Sequence, residues 1–411
     1  MFTSPEILAY HQKLLNLSPP WEVRSVDVDV QKFEVSIFVY WPAQTLAPCP
    51  QCQELCPLKD SKPRQWRHLD TMQFKTFLNC DVPRTDCAEH GVLQIFLPWS
   101  DPKSRFSLMF EKMAAEIILA CKNQTRAAEL LRISWKQVHQ IQHRSVEKAL
   151  SLRKNEVIPI LGIDEKSFLK GHKYVSVLSD SKQKRVLDVA EGRNEAAALL
   201  LLSSLSEKQK EGVKAVAMDM WDAFKSAVEK VLPSADIVHD RFHVTKYLNK
   251  SVDQVRKSEH REFLKQGIQV LKGTKYLWLT REANWSRDQF ARYRSIKDIC
   301  VKVGKAFSIK EGFRTFWSYS NQKSAETYFK KWYFWATHSR LKPVIEAART
   351  IKRHIGNILT YFKYKITNST AEGLNAKIQL LKSEARGYRN FENFRIAILF
   401  HCGGFKFFPH V

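Results

Sequence analysis

Three acidic residues, Asp164, Asp219 and Glu372, carry the first chemical signal in this 411-residue chain. The run Val157-Ile158-Pro159-Ile160-Leu161-Gly162-Ile163 leads into Asp164, and Val213-Lys214-Ala215-Val216-Ala217-Met218 leads into Asp219. Both runs read as buried strands that end on an acid. Glu372 falls in a late helical stretch, 370–382, with Ser369 or Thr370 as its cap. One Asp after a strand commonly just opens a turn, but three acids in this order point to a shared site. Such a site can hold two divalent ions about 3.5–4 Å apart, serving the attacking and leaving oxygens of an in-line displacement. Hard ions such as magnesium, or manganese, prefer carboxylate oxygen and keep positions open for water and phosphate. The chemistry expected is phosphoryl transfer on nucleic acid. Glu165 is set aside, because neighbouring side chains on a strand point to opposite faces.

The elements that must position these acids can be read between them. Residues 172–179 and 184–190 alternate as two further strands, and 194–205 is an Ala/Leu-rich helix with Asn194 as its cap. Residues 221–231 read as another helix and 235–238 as a short strand. This is the element order of a ribonuclease-H-like fold. Asp240 and His243 open the next helix on one face. They either tie strand to helix by hydrogen bonds or, as expected here, stand beside the metal site and help to place the scissile phosphate. Between Asp219 and Glu372 lie 152 residues, more than such a fold needs, and 250–365 reads as an all-α insertion rich in Lys, Arg and aromatics. Its Trp278, Trp285, Trp317, Trp332 and Trp335 are either core or platforms for unpaired bases.

Eight cysteines in a chain of this length do not make a disulfide framework. Cys49-Pro50-Gln51-Cys52 is a knuckle that brings two thiolates to one metal, and Cys87 and His90 offer a second pair after 34 intervening residues. Together they predict a Cys3His zinc site in a β-rich module with strands at 26–40, 73–79 and 92–97. Cys56 and Cys80 are nearby thiols that can replace a ligand; Cys121, Cys300 and Cys402 read as core.

Residues 113–121, 124–131 and 134–141 then read as helix, helix, turn and helix. Ala127, Leu130, Leu131, Val138 and Ile141 give the apolar spacing, and Ser134 caps a helix that carries Lys136, Gln137, His139 and Gln140 outward. Such a helix suits a DNA major groove, although any three-helix bundle has similar text.

The formal charge of +24 is uneven: residues 1–250 hold 35 Lys/Arg against 30 Asp/Glu, and residues 251–411 hold 31 against 12. A polyanion is the natural partner. Lys377, Lys382, Arg386 and Arg389 follow Glu372 and either hold DNA phosphates or form an ordinary solvated face. No run approaches the ~20 apolar residues of a membrane span, and residues 1–20 lack the features of a leader, so the expected location is cytoplasmic.

The order of these pieces resembles the DDE transposases of bacterial insertion sequences of the ISL3 type. The resemblance rests on the two knuckles, Trp66-Arg67-His68-Leu69-Asp70, Pro98-Trp99 with Ser104-Arg105-Phe106, and the helix-turn-helix. It continues through Gly162-Ile163-Asp164-Glu165, Asp219-Met220-Trp221, Asp240-Arg241-Phe242-His243, 368–377 and Gly387-Tyr388-Arg389-Asn390 with Phe394. It implies Asp164, Asp219 and Glu372 as a magnesium-binding triad, Asp240 and His243 as an auxiliary pair, cutting at element ends and joining to target DNA. It also implies a homodimer or larger assembly on double-stranded DNA. One departure is Gln53, where a Gly often follows the second knuckle cysteine.

The expected architecture is multidomain α/β. A zinc-binding β-rich module spans 1–100 and a helix-turn-helix 101–150. A ribonuclease-H-like catalytic domain over 151–249 and 366–411 is interrupted by an all-α insertion over 250–365. A DNA-binding regulator that no longer catalyses, and a metal-dependent nuclease that cuts without joining, are the rival functions.

Overall fold

The computed structural model describes residues 2–153, 155–169, 173–366 and 369–407. Two compact units are present, one formed by the chain up to Leu152 with the segment from Phe405 onward, the other by Arg153–Gly404. His172, at the head of an expected strand, and the side chains of the expected caps Ser369 and Thr370 lie outside the described residues.

In the first unit, helix α1 (Pro5–Leu14) precedes strands β1 (Glu22–Asp29), β2 (Glu34–Tyr40), β3 (Ala47–Pro48), β4 (Leu55–Cys56), β5 (Leu58–Thr71), β6 (Phe74–Cys87) and β7 (Gly91–Gln94). The main sheet runs β1-β2-β6-β5, with β7 on the second half of β6. Val35, Ile37 and Val39 alternate inward along β2 and pack with Trp21, Trp66 and Trp99. The stretch expected as strand over 26–40 is broken by a turn, where Asp29 accepts the Lys32 amide at 2.9 Å. Strand β5 carries no alternating pattern in its first half, because most of residues 59–65 are exposed. It is held instead by its ladder to β6 and by cross-strand pairs such as Lys59 with Asp86 at 3.1 Å.

Helices α2 (Leu108–Cys121), α3 (Gln124–Leu131) and α4 (Trp135–Ser151) complete this unit. Ser107, Asn123 and Ser134 cap them with side-chain oxygens. Ala127, Leu131, Val138 and Ile141 are buried as expected, whereas Leu130 is exposed. Arg132 closes α3 in the left-handed region at φ 54° and reaches back to the β5–β6 hairpin. There it pairs with Asp70 and donates to the Gln73 carbonyl at 2.8 Å, while Asp70 also pairs with the buried Arg67. The turn of the helical motif is thereby clamped to the sheet.

The second unit contains β8 (Ile160–Leu169), β9 (Lys173–Asp180), β10 (Arg185–Glu191), α5 (Glu195–Ser203), α6 (Glu207–Gly212), β11 (Ala215–Met218), α7 (Asp222–Val231) and β12 (Asp236–His239). Its sheet runs β10-β9-β8-β11-β12, antiparallel through β8 and parallel from β8 to β12. Leu161, Ile163, Val216, Met218 and Ile237 face α5 and α7 and build the core with Leu201 and Phe224. Strand β8 does not stop at Asp164 as expected. It continues to Leu169 because β9 pairs with it along the whole hairpin.

From β12 the chain passes directly into α8 (Arg241–Lys265). It continues through α9 (Lys275–Leu279), α10 (Arg287–Ile296), α11 (Val301–Arg314), α12 (Gln322–Thr337), α13 (Lys342–Arg353), α14 (Ile355–Leu359) and α15 (Tyr361–Tyr364). These helices share a core in which Trp278, Trp285, Trp317 and Trp332 are buried, so four of the five tryptophans serve packing and only Trp335 is exposed. Lys310 is also buried there, its ammonium donating to the Trp278 carbonyl at 2.9 Å beside Glu311, and burial lowers its pKa to about 8. The returning chain clasps the edge strand: the Thr360 hydroxyl donates to the Ile237 carbonyl at 2.6 Å and the Tyr364 hydroxyl to Asp236 at 2.7 Å. Helices α16 (Ser369–Glu384) and α17 (Phe391–Cys402) follow, and Arg395 on α17 pairs with Asp188 on β10 through two nitrogens at 2.7 and 3.2 Å.

Candidate active site and metal centre

The register of the parallel strands places the acids. Met218 pairs with Ile163 on one side and with His239 on the other. The next residue of each strand path is Asp164, Asp219 or Asp240, so three acidic residues occupy matching positions across adjacent strands. Ile163, Met218 and Ile237 belong to the core under α5 and α7. Alternation therefore turns Asp164 and Asp219 to the other face. Gly162 precedes Asp164 on that face, where a Cβ would lie 2.7 Å from the Ser179 hydroxyl.

Helix α16 comes to this face through Asn375, whose side-chain amide donates to Oδ2 of Asp164. Oδ1 of Asp164 accepts the Glu165 amide at 2.8 Å. Lys382, two turns further along α16, donates to the Ser167 carbonyl of β8 at 2.9 Å. It is thus a strut between helix and strand rather than a free cation. Glu372 lies one turn before Asn375 and is exposed. Lys377, Arg386 and Arg389 are exposed as well. Asn375 stands three residues after Glu372, a spacing that puts both on one helical face.

His243, in the first turn of α8, stands 3.0 Å from Asp219 and 3.7 Å from Asp240. Burial disfavours the imidazolium, yet Asp219, then Asp240 and Asp164, outweigh it and hold the His243 pKa above its ordinary value. Burial likewise works to raise Asp219, but His243, the Met220 amide and Lys246 bring it below the usual carboxylate range. Asp240 also caps α8, accepting the Phe242 amide at 3.0 Å. The expected auxiliary pair is therefore joined directly to one acid of the expected triad. Glu165 is turned toward Arg193 at 3.7 Å, and burial lifts its carboxyl upward. Arg193 itself lies over the Tyr174 ring at 4.2 Å.

In the first unit, Cys49 and Cys52 sit in the turn between β3 and β4, Cys87 ends β6, and His90 lies in the turn before β7. Their ligand atoms all lie within 4.8 Å of one another. The Cys52 and Cys87 sulfurs are 3.7 Å apart and the Cys87 sulfur is 3.6 Å from His90 Nδ1. Ligands ~2.3 Å from one tetrahedral centre are separated by about 3.7 Å, so this donor set fits zinc. Gln53 holds the knuckle with φ 64°, the left-handed conformation that explains a preference for Gly there. Cys56 is turned to the Glu54 carbonyl at 3.4 Å. Cys80 lies in the sheet core, its thiol pushed up to about 12 by burial. Cys56 packs against Cys49 and Cys87, but neither Cys56 nor Cys80 belongs to the set of four close ligand atoms. Among the described residues this is the single group of three or more metal-ligating side chains so closely drawn together, and Asp164, Asp219 and Glu372 do not approach one another that closely.

The outward set on α4 divides. Lys136 and Gln140 are exposed. Gln137 is committed to the helix cap, its Oε1 accepting the Ser134 amide at 2.9 Å, and His139 Nδ1 lies 3.4 Å from the Gln124 amide. Trp135, at the helix start, is exposed too.

A zinc-knuckled sheet, a helix-turn-helix and an acid-bearing mixed sheet define a DNA-processing class of protein, and comparison with known families agrees. A zinc-finger model of insertion-sequence transposases matches residues 45–90, a helix-turn-helix model of ISL3 transposases matches 97–146, and a transposase model matches 161–398. The chain belongs to the ISL3-type DDE transposase family. It is 27% identical over 354 residues to the transposase for insertion sequence element IS1557 of Mycobacterium tuberculosis, covering 80% of this chain and 79% of that protein. It is 24% identical over 362 residues to the transposase for IS1001 of Bordetella parapertussis, covering 87% and 89%. No helix among the described residues is long and apolar enough to cross a membrane.

Proposed function

We propose that this transposase binds the terminal inverted repeats of its insertion sequence and catalyses metal-dependent cleavage and strand transfer. The observation that carries the reading is the strand register that sets Asp164, Asp219 and Asp240 abreast, with α16 tied to Asp164 through Asn375. The mixed five-stranded sheet is read as a ribonuclease-H-like core, 151–249 and 366–411, interrupted by the all-α insertion 250–365. The zinc module, 1–100, and the helix-turn-helix, 101–150, precede it.

In this reading Asp164, Asp219 and Glu372 would hold magnesium or manganese. Two such ions, when bound, supply charge stabilisation to the attacking and leaving oxygens of an in-line displacement. The donor set fits, because all three are hard carboxylate oxygens. Asn375 fixes the orientation of Asp164. His243 keeps Asp219 ionised and, with Asp240, helps to place the scissile phosphate. Lys136, Gln137, His139 and Gln140 face the terminal repeat, while Lys377, Arg386 and Arg389 contribute positive charge beside the cleaved strand and Lys382 braces α16 against β8. Two ends brought together imply a homodimer or larger assembly on DNA, in the cytoplasm.

The test is excision and integration of a marker flanked by the gene's own bordering DNA, in cells supplied with wild type or Asp219→Ala. Movement by wild type alone, with end binding kept by the variant, supports the reading. Binding without movement by either protein would favour a DNA-binding regulator, and cutting without joining a nuclease.

A further inference from the structure

Beside the start of α4, the first unit carries a groove of about 410 Å³ that includes Arg64, Gln65, Arg67, Ser104, Arg105 and Gln137 in its lining. It joins four parts of the chain: strand β5, strand β6 at Phe77, the segment that enters α2, and the first turn of α4. Arg105 is held in place by its backbone, since its carbonyl accepts the Arg67 amide at 2.9 Å. Its side chain is exposed and makes no ion pair among the described residues. Arg64 is half-buried and donates to Gln94 at 2.9 Å. Arg67 is buried; its Nη atoms are satisfied by Asp70 and by the His68 and Thr76 carbonyls, while its Nε donor is buried without a partner. Gln137 spends its oxygen on the helix cap and keeps its amide N–H groups as donors. The lining holds three guanidinium groups and no carboxylate.

We propose that this groove is a backbone-phosphate site for duplex DNA, engaged when α4 lies in the major groove. The inference deepens the reading of this unit as the DNA reader and rests on it. Three arguments meet here. A recognition helix in a helix-turn-helix presents its N-terminal residues to the bases, which brings the phosphates flanking the groove close to that end. The N-terminus of the 17-residue α4 contributes a partial positive charge at the same place. Arg forks match phosphate oxygens in a way that a solvated lysine face does not. The clamp of Arg132 on Asp70 keeps β5 and α4 in register, so the sheet of the zinc module becomes part of the DNA-reading surface.

The experiment uses full-length protein and two labelled duplexes of equal length, one from the DNA bordering the gene and one scrambled, with affinity measured over a sodium chloride series. Arg105→Ala and Arg64→Ala are each expected to weaken binding to both duplexes about tenfold, as loss of one charged hydrogen bond implies. Each should also lower the slope of log K against log salt by ~0.9, the value for one phosphate contact. Arg105→Lys should keep the slope and lose part of the affinity. Gln140→Ala serves as the contrast, changing the ratio between the duplexes and leaving the slope alone. Zinc content and circular dichroism of the variants check that they are folded. Wild-type affinity and slope in both alanine variants would overturn the groove assignment while leaving DNA binding intact. If wild type binds neither duplex, the DNA-reading role of the unit fails first, and the groove assignment with it.

Discussion

Asn375 on α16 donates its side-chain amide to Oδ2 of Asp164 on β8, across 211 residues of sequence. The bond fixes one carboxylate of the proposed site and sets the helix carrying Glu372 against the strand. It also leaves Asp164 with a neutral donor, which orients the acid without cancelling its charge.

Replacing Asn375 should therefore impair chemistry more than folding. A hydrogen bond to a charged group contributes about 1.5–3 kcal/mol, so Asn375→Ala is expected to slow single-turnover cleavage roughly ten- to hundredfold. Asn375→Asp, which sets a second negative charge against Asp164, should be slower still. Wild-type rates in both variants would show that the link to α16 is dispensable.

The zinc centre can be examined apart from activity. Metal analysis of purified protein should return about one zinc per chain, and Cys87→Ser should abolish it and lower the thermal unfolding temperature. Cys56→Ser and Cys80→Ser should retain the metal, because Cys49, Cys52, Cys87 and His90 make a complete set of four ligands without them. A wild-type protein that is folded and metal-free would contradict the assignment.

Gln53 occupies a left-handed position, φ 64°, that costs a residue bearing a Cβ about 1 kcal/mol or more. Gln53→Gly is expected to stabilise the knuckle by about that amount, part of which is returned as extra chain entropy in the unfolded state. Zinc retention against a competing chelator should rise or hold. Faster zinc loss in the variant would mean that the Gln53 side chain contributes something its backbone conformation does not reveal.

Acid should weaken both units through buried histidines. Burial, reinforced by Arg67 at His68 and by His354 at His239, lowers each imidazole to about 4. The unfolded chain takes up these protons near pH 6.5, so it binds more protons than the folded chain between about 6.5 and 4. Stability is full above that window and falls as pH drops through it. Urea midpoints at about pH 7.5 and pH 4.5 should show the loss, and His239→Phe should reduce it. An unchanged pH dependence in that variant would assign the acid sensitivity to other groups.

Elements with a single strong physical cause were legible in the sequence. Ala215–Met218 is buried at every position, and its apolar run announces a central parallel strand. The helix caps Asn194 and Ser134 were recognisable because the capping oxygen is local. What escaped depends on partners distant in sequence. Strand β5 has no alternating face and exists through its ladder to β6. Leu130 has the right helical spacing for burial, yet it lies on the outer side of α3. The same holds at the site: the acids at Asp164 and Asp219 follow apolar runs and could be found. Their arrangement abreast of Asp240, and the reach of Asn375, follow from sheet order and from the path of α16.

The clasp of Thr360 and Tyr364 on β12 has a consequence for the order of synthesis. A growing polypeptide completes its zinc-knuckled DNA reader and the strands bearing Asp164, Asp219 and Asp240 early. Glu372 leaves the ribosome only after the whole helical block. Under the proposed function, a product truncated inside that block would occupy DNA without a full set of acids, competing with intact protein for the same ends. On that reading, chain order alone would make incomplete molecules inhibitors rather than unregulated cutters.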